Sequence, residues 1–108
     1  MKTTNYIRGR KKEYELKHKL ERQGFTVFRT AGSHGVADLI AIKEGIARFI
    51  QIKFTKKPIS FNQEANELRE LSSENIGLYF ELYHYILNAG IHNHIIYYGG
   101  LEKDDVAF

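Results

Sequence analysis

Three residues of this chain combine types and spacing that could do chemistry together: Asp38, Gln51 and Lys53. All lie in the stretch GSHGVADLIAIKEGIARFIQIK, residues 32–53. Two short apolar runs, 37–42 and 47–54, flank Lys43-Glu44-Gly45-Ile46. A Glu-Gly pair between β-type runs predicts a hairpin loop, because Gly supplies the positive φ that tight turns need. With a two-residue loop, Lys43 pairs with Ile46 and Asp38 falls opposite Gln51. Opposed residues on antiparallel strands share a face, with Cβ atoms about 4.5–5.5 Å apart. Lys53 shares that face, about 6–7 Å further along the strand. Leu39, Ile50, Ile52 and Phe54 then lie on the other face. A one-residue bulge would break this register, and bulges are common near active sites. An acid, a carbonyl donor and a lysine on one patch suggest a divalent-metal nuclease. Taken alone, the pattern also arises by chance in ordinary sheets.

The elements that must position these residues can be read in order. Residues 1–9 read as a flexible basic arm ending in Arg8-Gly9. Residues 10–23 read as a helix, rich in Lys, Glu, Leu and Arg, with Gly24 as its stop. Glu13 precedes Leu16 by three positions and Leu20 by seven, so it shares their inward stripe. A carboxylate there is costly unless paired or metal-bound. Glu13 at the helix dipole, or paired with Lys17, are the plainer alternatives. Residues 25–29 form a first strand. The loop Thr30-Ala31-Gly32-Ser33-His34-Gly35 follows, and its backbone N–H groups could approach a phosphate closely. Ser33 and His34 sit in it just before Asp38. After the hairpin, Pro58 breaks the chain. Ser60 as N-cap with Gln63 in a capping box predicts a second helix. Phe61, Ala65, Leu68 and Leu71 are its inward stripe, and Glu64, Glu67, Glu70 and Glu74 its acidic outer face. Residues 78–86, apolar on both faces, read as a central or interface strand. Residues 91–98 read as an edge strand, and 99–108 as a short acidic tail. The order α-β-β-β-α-β-β implies an α/β domain, a mixed central sheet flanked by helices, spanning 1–108.

Composition narrows the function. The chain has 108 residues and is 43% apolar, enough for one small core. Its 13% aromatic content argues against disorder. No apolar run approaches the roughly 20 residues of a membrane span. The start, MKTTNYIRGRKK, carries no apolar signal core, so an intracellular, cytoplasmic location is expected. Without cysteine there are neither disulfides nor zinc-thiolate sites. The five histidines show no convincing metal-ligand spacing. Net charge is +3, unevenly spread. Residues 1–57 carry 14 Lys/Arg and 5 Asp/Glu (+9), and residues 58–108 carry 2 and 8 (−6). Arg8, Arg10, Lys11 and Lys12 cluster near the start, and Lys56 and Lys57 follow Lys53. Basic residues beside a metal patch are what a nucleic-acid backbone attracts. A solvated basic helix is the plainer alternative. The acidic second half places DNA on one side only.

The pieces Arg8-Gly9-x3-Glu13, Gly24-Phe25, Arg29-x-Ala31-Gly32-Ser33, Asp38-Leu39-Ile40-Ala41 and Gln51-x-Lys53 together resemble the archaeal Holliday junction resolvases, in the same order and at similar spacing over about residues 7–86. That family has the PD-(D/E)xK fold, also called restriction-endonuclease-like. The resemblance implies a magnesium-dependent homodimer that nicks four-way DNA junctions symmetrically, with manganese able to substitute. No small-molecule cofactor or membrane partner is expected. Glu13 matches the helix-borne acid, Ser33 the loop serine, Asp38 the main metal ligand and Lys53 the catalytic lysine. Arg8 and Arg29 match DNA-touching basic positions, with Arg10, Lys11, Lys12, His34, Lys56 and Lys57 as further DNA contacts. Two departures stand out. Gln51 replaces the family's Glu, and the chain is shorter at its C-terminus. Residues 35–63 also resemble the VRR-type nucleases, which share the fold and carry a helix Gln where Gln63 stands. Flap or duplex DNA is then the alternative substrate, and a catalytically weakened DNA-binding protein the alternative role. Within the resemblance, Asp38, the Gln51 side-chain oxygen and the Ile52 carbonyl would hold the cation, with Glu13 direct or through water. Lys53 would orient or deprotonate the attacking water, or balance charge.

Overall fold

A computed structural model describes residues 5–30, 37–104 and 106–108. Helix α1 (Asn5–Arg22) leads into β1 (Thr26–Arg29), β2 (Leu39–Lys43) and β3 (Ile46–Thr55). Helix α2 (Asn62–Glu74), β4 (Tyr79–Ile86), β5 (Gly90–Tyr98) and β6 (Leu101–Lys103) follow. The six strands form one sheet in chain order, β1 to β6. All neighbours are antiparallel except β3 and β4, which run parallel through the α2 crossover. This mixed sheet with two helices agrees with the expected restriction-endonuclease-like architecture.

The hairpin forms as the sequence predicts. Glu44 and Gly45 take φ values of 49° and 82°, which closes the loop in two residues and pairs Lys43 with Ile46. The ladder then runs to Leu39 opposite Ile50. Leu39, Ala41, Ile50 and Ile52 pack with Leu16 and Leu20 beneath α1. On the opposite face, Leu68 of α2 packs with Phe80, Leu82 and Tyr97. Strand β4 is buried on both faces because it lies between β3 and β5 with a helix on either side. At the end of α1, Phe25 N–H reaches back to the Leu20 carbonyl (3.1 Å) and Gly24 N–H to Glu21 (3.0 Å), closing the helix at the predicted glycine.

Several boundaries differ from the sequence reading. Helix α1 begins at Asn5, so residues 5–9 are helical and not an arm. Gly9 is a poor helix former, but it docks beside Phe54, and tertiary packing overrides propensity. Ser60 does not cap α2. The N-cap is Phe61, without a side-chain cap bond, and its ring packs edge-on against His84 at 4.8 Å. Burial of that ring, not a hydroxyl, anchors the helix start. The acidic tail contains β6, joined to β5 by Gly99 and Gly100 at φ 62° and 81°. A Gly-Gly pair is a hairpin signal. The three exposed residues after it gave no alternation to reveal a strand.

Candidate active site

Asp38 leaves the β2 ladder one residue before Leu39 and is held by bonds on both sides. Its N–H donates to the Ile50 carbonyl (2.7 Å), one residue out of the hairpin register. Its Oδ2 accepts the Ile52 N–H at 2.7 Å. The acid therefore straddles Gln51 instead of pairing with it, because its carboxylate takes a ladder donor from β3. Its own carbonyl accepts the Thr30 N–H (3.0 Å), and the Thr30 hydroxyl donates to Ala37 O at 2.7 Å. Thr30 thus ties the end of β1 to the acid, a role the sequence reading did not assign it.

Charges converge here. Burial pushes the Asp38 carboxyl above the ordinary Asp range, against the pull of the Ile52 N–H. The Glu13 carboxylate pushes the same way, and the Lys53 ammonium opposes it. Asp38 therefore lies within the fields of both residues. Glu13 faces inward, as the helix stripe predicts, with 16% of its side chain exposed. Its partner is Arg29 Nε at 2.6 Å, and Lys17 instead bonds Glu21. Arg29 also stacks over Tyr14 at 4.5 Å, so this candidate DNA contact spends one guanidinium edge on Glu13.

Gln51 and Lys53 share the α2 face of β3. Gln51 pairs with core residue Leu82 across the parallel ladder. Lys53 Nζ lies 3.9 Å from Glu64 Oε2 of α2 and 5.5 Å from the Phe61 ring centre. Glu64 was expected on an outer acidic face, but it turns to Lys53 across the β3–α2 connection, a contact no local pattern encodes. Ile52 spends its N–H on Asp38 and keeps its carbonyl as a possible oxygen donor. No hydrogen bond occupies Asp38 Oδ1 among the described residues. No group of three or more His, Cys, Asp or Glu could hold a metal among them either. Available donors are the Asp38 and Glu13 carboxylates, the Gln51 amide oxygen and the Ile52 carbonyl.

Of the basic candidates, Arg8, Lys11 and Lys12 line a shallow cleft of about 270 Å³ with Phe54 and Ile86, at the end of the sheet where β3 delivers Lys53. Lys12 also contacts Glu15 at 3.4 Å and lies over Tyr85. Lys56 and Lys57 are exposed on the loop beyond β3, and Arg10 is exposed on α1. Ser33 and His34 lie outside the described residues.

A second charged cluster escaped the sequence reading. Arg48 donates to Glu81 from Nε (2.6 Å) and Nη2 (2.8 Å), and Nη2 also reaches Tyr83 Oη at 3.2 Å. His94 Nε2 meets Glu81 Oε1 at 2.8 Å. Glu81 is fully buried. Arg48 pairs with Ala41 on the α1 face, opposite Gln51 and Lys53, so this is structural wiring apart from the candidate site.

The description of the archaeal Holliday junction resolvase (Hjc) family matches residues 4–74, from α1 to the end of α2. That span contains every candidate site residue. A crossover junction endodeoxyribonuclease Hjc of Methanocaldococcus jannaschii is 46% identical over 52 residues, which are 48% of this chain and 38% of that relative. The similarity thus spans well under half of the relative's length. With a family match over most of the chain, the fold and the converging acids agree: this chain belongs to the archaeal Holliday junction resolvase family.

Proposed function

We propose that this chain is a magnesium-dependent endonuclease that nicks four-way DNA junctions, acting as a homodimer that cuts opposed strands in pairs. The observation that carries the reading is the strapping of Asp38 across Gln51, with its carboxylate in the fields of Glu13 and Lys53. The donor set is oxygen only, as magnesium requires. Asp38 is half-buried with the Glu13 carboxylate in its field, and a divalent cation would offset the burial and repulsion that raise its pKa. When bound, such an ion lowers the pKa of a coordinated water and neutralises charge on the attacked phosphate.

The protein's own groups do the rest. Asp38 is fixed by three backbone bonds, so it offers Oδ1 without reorganisation. Lys53, held between Glu64 and the Phe61 ring, presents its ammonium to the water or the developing phosphate charge. Arg8, Lys11, Lys12, Lys56 and Lys57 hold the DNA backbone by neutralising phosphates. A two-fold dimer would place two such sites on opposite strands.

Gln51 favours a second reading, a junction-binding protein with lowered cleavage, because a neutral amide removes one negative charge from the cation site. The test is a labelled four-way junction and a linear duplex of the same arms, each incubated with Mg²⁺, with Asp38→Asn as control. Paired nicks in the junction alone, lost in Asp38→Asn and with EDTA, are expected. Tight binding of the junction without cutting establishes the second reading, and equal cutting of both DNAs removes junction selectivity.

A further inference from the structure

Beside the candidate site, across the Phe61 ring, lies a cleft of about 340 Å³ walled by Pro58, Ile59, Phe61, His84, His92 and Asn93. We propose that this cleft is a nucleobase pocket, receiving one unstacked base of the DNA strand that crosses Lys53. The inference rests on the nuclease reading for the presence of that strand.

Four observations point to a base. The first is position. Lys53 and His84 are paired residues of the parallel strands β3 and β4. The Phe61 ring lies 5.5 Å from Lys53 Nζ and meets the His84 ring edge-on at 4.8 Å. A strand whose phosphate meets Lys53 therefore brings a neighbouring nucleotide to the cleft.

The second is chemistry. The imidazoles of His84 and His92, 5.3 Å apart, stand with Phe61 around an apolar floor. His84 is buried and only lines the wall, so the exposed His92 ring and the half-buried Phe61 ring are the ones a base can meet through its π-face, and the Asn93 amide can meet the donors and acceptors of a base edge. Ile59 is 54% exposed at the rim, an apolar cost in an otherwise charged neighbourhood.

The third is a bulge. His84 pairs with Asn93 but Tyr85 pairs with Ile91, so His92 is an extra residue in β5. A bulge re-aims side chains, and here both His92 and Asn93 line the same cleft. Strand β6 covers only Ile96–Tyr98 of β5, which leaves the His92–Asn93 stretch open to a ligand.

The fourth is charge. Exposed Lys56 and Lys57 lie on the loop that leads to Pro58, placed to hold the phosphates on either side of an extruded base. Branch points and nick sites offer bases with weakened stacking, for which extrusion costs least.

The experiment uses the full chain and four-way junctions that carry 2-aminopurine, or an abasic site, at each nucleotide flanking the cut phosphate. Binding is read in Ca²⁺ and cutting in Mg²⁺, for the parent and for His92→Ala and Asn93→Ala. Both residues are exposed, and unchanged melting temperatures confirm folding. One labelled position is expected to change fluorescence on binding, and both substitutions to suppress that change. At that position the substitutions should slow cutting of the intact junction about tenfold. They should leave cutting of the abasic junction unchanged. Equal slowing of intact and abasic junctions, or no slowing, overturns the pocket while the nuclease stands. If the parent binds without cutting, the nuclease reading fails and the fluorescence change alone decides the pocket. Absence of any fluorescence change at every position overturns it.

Discussion

Glu81 offers the sharpest test of what holds this fold together. Glu81→Leu would leave the Arg48 guanidinium, 3% exposed, without its carboxylate. Burial alone would push that guanidinium toward its neutral form, and Glu81 offsets this and holds its pKa above the ordinary value. Removing one member of a buried pair costs about 3–5 kcal/mol, because the survivor cannot rejoin water. A 108-residue domain has roughly 5–15 kcal/mol in total. The substitution should therefore remove about a fifth or more of the stability, a melting shift of about 12–20 °C at about 4 °C per kcal/mol. Arg48→Met combined with Glu81→Leu should recover most of that loss, since an apolar pair of similar volume is often neutral or stabilising. In the double variant His94 loses its acceptor, but its side chain is 29% exposed and can turn to water. Urea unfolding of the parent, both single variants and the double variant measures the coupling. Junction cutting at low temperature should stay unchanged, because the pair lies on the sheet face opposite Lys53. A loss below about 1 kcal/mol for Glu81→Leu, or a double variant no better than the worse single, refutes the argument.

Three further outcomes follow from other parts of the molecule. Gln51→Glu should tighten magnesium binding in calorimetric titration, since affinity depends on carboxylate charge; unchanged affinity would remove Gln51 from the ligand set. His84 is buried beside His92, and burial first, then that neighbour, lowers its pKa below 6.5. The folded state thus resists its protonation, so the stability from neutral His84 is present above pH 6.5 and lost as pH falls from there toward the folded pKa. His84→Gln should flatten that acid limb in unfolding curves taken at successive pH values, and an unchanged slope would refute the assignment. Gly100→Ala would put a Cβ 3.0 Å from the Ser73 Cβ at φ 81°, so a loss of at least about 1 kcal/mol is expected in chemical unfolding. A neutral result there would show that the β5–β6 turn relaxes freely.

Much of this protein is legible from local pattern. The Glu44-Gly45 turn and the alternation around it determine the hairpin, because side chains in a strand alternate strictly and only one register buries Leu39, Ala41 and Ile50 together. Helical spacing likewise turns Glu13 inward with Leu16 and Leu20. The family's motifs, spread over α1 to β3, name Asp38, Gln51 and Lys53 before any coordinate is known. Tertiary structure decided what those residues touch. Asp38 binds Ile52 through its side chain and so steps out of the register that the turn alone implies. Glu13 meets Arg29, 16 residues away, and Lys53 meets Glu64 across the crossover. Arg48, Glu81 and His94 come from three strands, and each alone reads as an ordinary polar residue in a β-type run. The division has one physical cause. Turn geometry and periodicity act over a few bonds and are written in adjacent residues. Ion pairs, desolvation and clefts depend on distances that exist only once β3 and β4 lie side by side.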